Sequence, residues 1–230
     1  MRKSRQLTLT ALFGALHALL YLVSFGTWRN WAIYIESMEG IILGPKIGFL
    51  AALLGSVIPR IIRPDDTWMF AIIAEPVSVL LAGFLARTKW KPVLAAYAIM
   101  LSAYFLHPFG RMLPLWTILD VLLALFLVYP TAKVSRYLFG HDVKRLSVAL
   151  LLVSFVCVAT DSLVRVFLLI PGGLYGLFFS SYEVLYGVFV GAAVSSYVED
   201  FAVVLVSFFV GVPLIVAASR MGIFEDNKKE

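Results

Sequence analysis

The sequence predicts an all-α integral membrane protein, a polytopic bundle with about eight hydrophobic segments and both termini inside. Three observations carry that prediction. Hydrophobic residues make up 61% of the 230 positions and charged residues only 14%, too few polar groups to cover a soluble domain of this size. Apolar stretches long enough to enter a bilayer recur from Leu7 to Ala218. The lysines and arginines gather in a subset of the loops between them, as cytoplasmic loops do, so the net charge of +5 points to membrane orientation and not to nucleic acid.

Taken in order, the segments are Leu7–Phe25, Trp31–Leu43, Lys46–Ile62, Trp68–Ala86, Pro92–Leu106, Leu113–Leu138, Leu146–Ile170 and Phe201–Ala218. The first follows a basic start, like a signal peptide. Its apolar part is long and no small-x-small cleavage site follows, so it is retained as a helix. The second and third come from one run, EGIILGPKIGFLAALLG, interrupted by Gly44-Pro45-Lys46. Two separate arms put RTKWK and KVSRYLFGHDVKR inside with Lys46, leaving Arg29, Arg60, Arg63 and Arg111 outside. One kinked helix would export both basic clusters, against the charge rule. A hairpin is therefore expected, packed closely through Gly40, Gly44 and Gly48. Its first arm, about 13 residues, rises only ~20 Å and must be shielded, tilt little or lie in a thin region. Residues 174–193 are apolar enough for a ninth crossing; the preceding Pro-Gly-Gly and the central Glu183 favour a long outer loop folded back onto the bundle. SSYVED is read as a polar stretch before the last segment. The whole forms one membrane domain, residues 1–222, with a disordered cytoplasmic tail at 223–230.

The single cysteine, Cys157, lies in an apolar segment and excludes an internal disulfide or a cysteine metal cluster. There is no HExxH and no phosphate-binding loop, and His17, His107 and His141 fall on separate segments, so no metal or other cofactor is expected. The informative groups are ionisable residues within the apolar segments, which are costly in lipid and should face the interior. Glu75 lies about two turns into the fourth segment, beside Pro76, and Asp120 near the outer end of the sixth. Asp161 and Arg165 stand at i and i+4, spaced for an ion pair on one helix face. Such a pair equally fits a packing lock or, with Glu75 and Asp120, a polar pocket open to the outer face. Trp28, Arg29, Asn30, Glu36, Arg60, Arg63, Trp68, His107, Arg111, Trp116, Tyr175, Tyr182 and Glu183 surround that mouth. Trp68, Trp116, His107 and Arg111 are candidate ligand contacts, although aromatic residues at this depth also form interfacial belts.

ALFGA with Ala11 and Ala15, and Ala18 beyond it, the turn GIILGPKIGFLAALLG and the following EPVSVLLAGFLART together resemble the substrate-binding S components of energy-coupling factor (ECF) transporters. The likeness spans about residues 7–90. It implies capture of a vitamin or similar small micronutrient at the outer face of the cell membrane, without catalysis. It also implies docking, through Ala11, Ala15 and Ala18, onto a transmembrane coupling subunit driven by separate ATPases. S components usually have six helices, so this chain carries an extra pair within residues 113–170. Two other readings of the intramembrane carboxylates stay open: a self-sufficient proton-coupled transporter and an intramembrane lipid-modifying enzyme.

Overall fold

A computed structural model describes residues 3–24, 29–140 and 142–224. Trp28, His141 and the tail residues 225–230 lie outside the described residues. The described chain is helical, with no strand. Its elements are α1 (Lys3–Leu22), α2 (Ile33–Leu43), α3 (Pro45–Ile62), α4 (Trp68–Ala86), α5 (Trp90–Leu106), a single-turn α6 (Pro108–Met112), α7 (Leu119–Val134), α8 (Val143–Leu169), a one-turn α9 (Tyr175–Phe178), α10 (Tyr182–Val206) and α11 (Val212–Arg220). Short 3₁₀ turns flank α7, extending it to Leu115–Tyr137. Among the described residues, five helical spans are long and apolar enough to cross a membrane: α3, α4, extended α7, α8 and the run from Tyr182 to Arg220.

Contacts at the helix ends show how the chain alternates. The Tyr21 hydroxyl, near the end of α1, donates to the Arg63 carbonyl just past α3 at 2.6 Å. Phe70, near the start of α4, packs in a tilted arrangement against Phe178 of α9 at 5.5 Å between centroids. At the opposite end Trp90, opening α5, meets Tyr129 of α7 edge-on at 5.4 Å. Beside it the Arg87 guanidinium reaches the Gly40 carbonyl of α2 at 3.5 Å and helps to satisfy that helix's C-terminal carbonyls.

The hairpin at Gly44-Pro45 is present. Gly44 adopts φ +86°, outside the range comfortable for other residues, and Pro45 opens α3 where no donor is needed. The short arm α2 is shielded by its neighbours: all of its residues except Tyr34 are buried. Close approach of α4 makes this possible. A Cβ added at Gly40 would lie 2.5 Å from the Val79 carbonyl oxygen, and one at Gly83 would lie 2.6 Å from the Pro45 Cα. Gly48 sits against Val79 and Glu39 in the same seam. On the other side, Phe13, His17 and Tyr21 form the buried stripe of α1, four residues apart, with Gly55 of α3 directly against His17. Ala11 and Ala15 lie on the exposed side of α1 and Ala18 is half-buried.

Two expectations for the C-terminal third are corrected. Residues 174–193 are not one long loop. Only a short connection with the single turn α9 folds over the bundle, and the chain is helical from Tyr182 onward. SSYVED lies inside α10. The last helical run is 39 residues, about 58 Å at helical rise, far longer than the expected Phe201–Ala218. It contains a π-helical turn at Ser207–Gly211 just before Pro213. A proline ring clashes with the carbonyl four residues back in a regular helix, and the wider turn relieves that clash. The folded region also reaches past residue 222. Ile223 and Phe224 are buried, and the Phe224 ring packs 4.8 Å from Phe139. Cys157 is buried and free, as expected of a core thiol.

Replacing Gly40 with leucine should destabilise the bundle by about 3 kcal/mol or more, because backbone on α4 cannot yield as a side chain would. Gly191→Ala, mid-helix where a Cβ meets nothing within 4 Å, should not destabilise and should gain up to about 1 kcal/mol from helix propensity. Thermal unfolding of both variants in detergent tests the pair; equal midpoints would remove Gly40 from the packing seam.

Candidate functional site

Eleven ionisable side chains from seven helices and the α1–α2 connection form a buried network among the described residues, and Glu75 is its hub. Glu75 is 1% exposed and sits mid-bundle on α4. Its Oε2 lies 3.1 Å from His17 Nε2 and accepts from Arg60 Nη1 at 3.2 Å. Its Oε1 accepts from Arg60 Nη2 at 2.7 Å and from Asn30 Nδ2 at 2.6 Å. His17 Nδ1 lies 3.1 Å from Glu39 Oε2 of α2. Each imidazole nitrogen thus faces a carboxyl oxygen, and two protons must bridge the three groups, whichever of them carries the charge. Arg60 also donates to Ser56 and lies over the face of Tyr21 at 4.4 Å, while its Nε pairs with Asp65 at 3.4 Å by charge and not by a hydrogen bond.

The second half of the network centres on Asp161 of α8. Arg165 donates to it through Nε at 2.7 Å and Nη2 at 3.3 Å, the expected i,i+4 pair. Arg165 Nη2 also stands 3.8 Å from Glu75, which links the two halves. Arg29, ahead of α2, reaches across to α10. Its Nε donates to Glu199 at 2.8 Å, Nη1 to Asp161 at 3.5 Å and Ser162 at 3.3 Å, and Nη2 to Ser196 at 2.7 Å and Asp200 at 2.9 Å. All five guanidinium hydrogens are therefore engaged. Deeper in the bundle, Ser78 donates to Glu36 Oε2 at 2.5 Å. Buried charges survive only with such pairing, since an isolated ion in a low-dielectric interior costs several kcal/mol.

A cavity of about 420 Å³ opens beside this network, at the helix ends away from Gly44. Arg29, Asp120, Arg165 and Glu199 supply its charged wall, and Phe70, Phe178, Phe179 and Phe189 its aromatic one. The volume lies in the range of small-molecule sites. On the far side of Asp120, an apolar groove of about 580 Å³ runs between α7, α8 and α10. Asp120 and Asp200 contribute to that groove as well, and the Asp200 Oδ2 atom is buried without a hydrogen-bond donor among the described residues.

Of the candidate ligand contacts, Asp120 and Arg165 line the cavity, while Glu75 and Asp161 hold its charged wall from behind. Four do not belong to it. His107 caps α6, accepting from the Phe109 amide at 3.2 Å. Arg111 is exposed and donates to the Leu106 carbonyl. Trp68 and Trp116 are largely exposed, Trp116 lending only its carbonyl to the Tyr197 hydroxyl. Their positions at helix ends explain the misplacement, because nearness to a mouth does not fix where a side chain points. His17, Glu39, Glu199 and Asp200 were missed. His17 shares the four-residue stripe of Phe13 and Tyr21, and Phe189, Ala193, Ser196, Glu199 and Asp200 recur at helical spacing on one face of α10; those periodicities were the available signal.

Removing the hub's charge leaves Arg60 and His17 facing a weakened partner. Glu75→Gln should lower stability by about 3 kcal/mol, the scale for breaking a buried ion pair. Glu183→Gln, on the exposed start of α10, should change nothing. Unfolding midpoints in detergent check both; an unshifted Glu75→Gln would show that the network does not hold the helices.

No family model matches the chain, and no solved structure does. Among curated proteins, Uncharacterized protein MJ0923 of Methanocaldococcus jannaschii is 27% identical over 173 residues. The match covers 71% of this chain and 58% of that protein, so the chain spans well under two thirds of the relative's length.

Proposed function

We propose that this protein is the substrate-capture subunit of an ECF-type importer in the cell membrane, with its cavity facing outward and its basic loops inside. The observation that carries the reading is the cavity itself. It lies at one set of helix ends, is shaped by aromatic rings and is backed by a fixed ionic network. Rigid support of this kind suits selective capture of a small, partly apolar nutrient. The connection bearing α9 supplies Phe178 and Phe179 to the cavity and is the natural element to move as ligand enters. The resemblance over residues 7–90 supports the partner: a coupling subunit would dock on the exposed Ala11 and Ala15 face of α1, where small side chains permit close helix contact.

Purification from native membranes in mild detergent, with mass spectrometry of the associated proteins, tests this. A coupling membrane subunit and two ATPases should accompany the chain, and uptake should stop on ATP depletion. Ala11→Trp with Ala15→Trp should abolish uptake and leave ligand binding intact. Arg165→Ala should weaken binding at least about tenfold, the worth of one charge-assisted contact.

One observation favours a second reading. The Asp120 and Asp200 carboxyls both line the apolar groove, and Asp200 Oδ2 is buried without a donor among the described residues, a pairing of intramembrane carboxyls such as a self-sufficient proton-coupled transporter requires. Accumulation that survives ATP depletion and collapses with the proton gradient would establish that mechanism instead.

A further inference from the structure

The buried network is short of positive charge. Its carboxyl groups are Glu36, Glu39, Glu75, Asp120, Asp161, Glu199 and Asp200. Against them, among the described residues of the network, stand the guanidinium groups of Arg29, Arg60 and Arg165 and the imidazole of His17. Even a doubly protonated imidazole leaves more carboxyls than cations, and every surplus carboxyl must be met by a proton or by another cation. Most of these groups are closed off. Glu75 and Asp161 have guanidinium partners and Glu39 faces His17, while Glu36 accepts from Ser78 through Oε2 and keeps Oε1 buried without a hydrogen-bond partner among the described residues, lining neither the cavity nor the groove. Asp120 differs. It lines both the cavity and the groove, and its near neighbour Asp200 is buried with Oδ2 lacking a donor.

We infer that the cavity takes an organic monocation, a protonated amine or cationic heterocycle with an aromatic or branched apolar body, whose charge sits at Asp120. Glu199, on the same wall, adds negative potential near it. Phe70, Phe178, Phe179 and Phe189 offer ring faces to the apolar body and to the charge, as aromatic sites for ammonium ligands do. A carboxylate ligand is poorly served. The five Arg29 hydrogens are already engaged, which leaves it only the Nη1 group of Arg165 while it faces the carboxyls of Asp120 and Glu199. That remaining donor fits a neutral acceptor on the cation's body. This assignment rests on the capture reading above and names its substrate class.

The test uses purified full-length protein in detergent and three probes of matched shape: phenethylammonium, 3-phenylpropionate and 2-phenylethanol. Dose-dependent thermal stabilisation gives an apparent affinity for each. Phenethylammonium should bind at least about tenfold more tightly than the other two, the scale of a desolvated charge and cation–π contact. Asp120→Asn should bring the three within about threefold of one another. Should that variant fail to fold, Phe178→Ala, on the one-turn α9, should weaken phenethylammonium about tenfold by removing a ring face. Preference for the carboxylate or the alcohol, equal binding of all three, no saturable stabilisation by the amine, or an undiminished cation preference in Asp120→Asn (or, in its stead, unweakened amine binding in Phe178→Ala) overturns the assignment. Binding by the isolated protein is independent of the coupling subunit, so failure here leaves the importer reading to its own copurification test.

Discussion

A carboxylate cannot sit unpaired in the middle of a membrane bundle, and Glu75 sits there. Everything around it answers that constraint. Arg60 from α3, His17 from α1, Asn30 ahead of α2 and Arg165 from α8 converge on its two oxygens. Through His17 the set extends to Glu39 of α2, and through Arg165 and Asp161 to Arg29 and α10. In water each of these contacts would contribute little. In a low-dielectric interior every unmade contact costs several kcal/mol, so the helices have few alternative arrangements that satisfy all the groups together.

Such convergence requires the backbones to come close, and small residues let them. The glycine seam between α2 and α4 buries the short arm almost completely, and Gly55 receives His17. The short arm therefore never has to span a bilayer against lipid; its neighbours replace lipid around it. α8, largely buried, is the second central helix, while α10 turns one polar face inward and shows Val194, Val198 and Phe201 outward. The cavity follows from this geometry. It lies where the ends of α4, α7 and α8 diverge from α10 and the α9 connection covers the gap.

The helical class and the break at Gly44 were legible in the sequence because they rest on composition, on the charge of loops and on one glycine-proline step. The i,i+4 pairing of Asp161 and Arg165 was legible because spacing alone sets it. Much of the site was not. SSYVED looks like a loop when polar residues are counted along the chain, and becomes the polar face of α10 only when they are placed around a helix. His17 and Glu39 are far apart in sequence, and nothing local tells that they meet. His107, Arg111, Trp68 and Trp116 have suitable chemistry and lie at helix ends, yet their side chains cap turns or are exposed. Position along a helix could be read from the sequence; side-chain orientation is set by tertiary packing.

The central claim is an outward-facing capture cavity, and accessibility in intact cells tests it most directly. Cys157 is buried and is the chain's single cysteine, so introduced thiols can be labelled without background. Thr67→Cys at the cavity mouth should react with a membrane-impermeant maleimide from outside, and Lys89→Cys, at the opposite helix ends, only after the membrane is opened. The reverse pattern would contradict the account, because the cavity would then face the cytoplasm and could not capture an external nutrient.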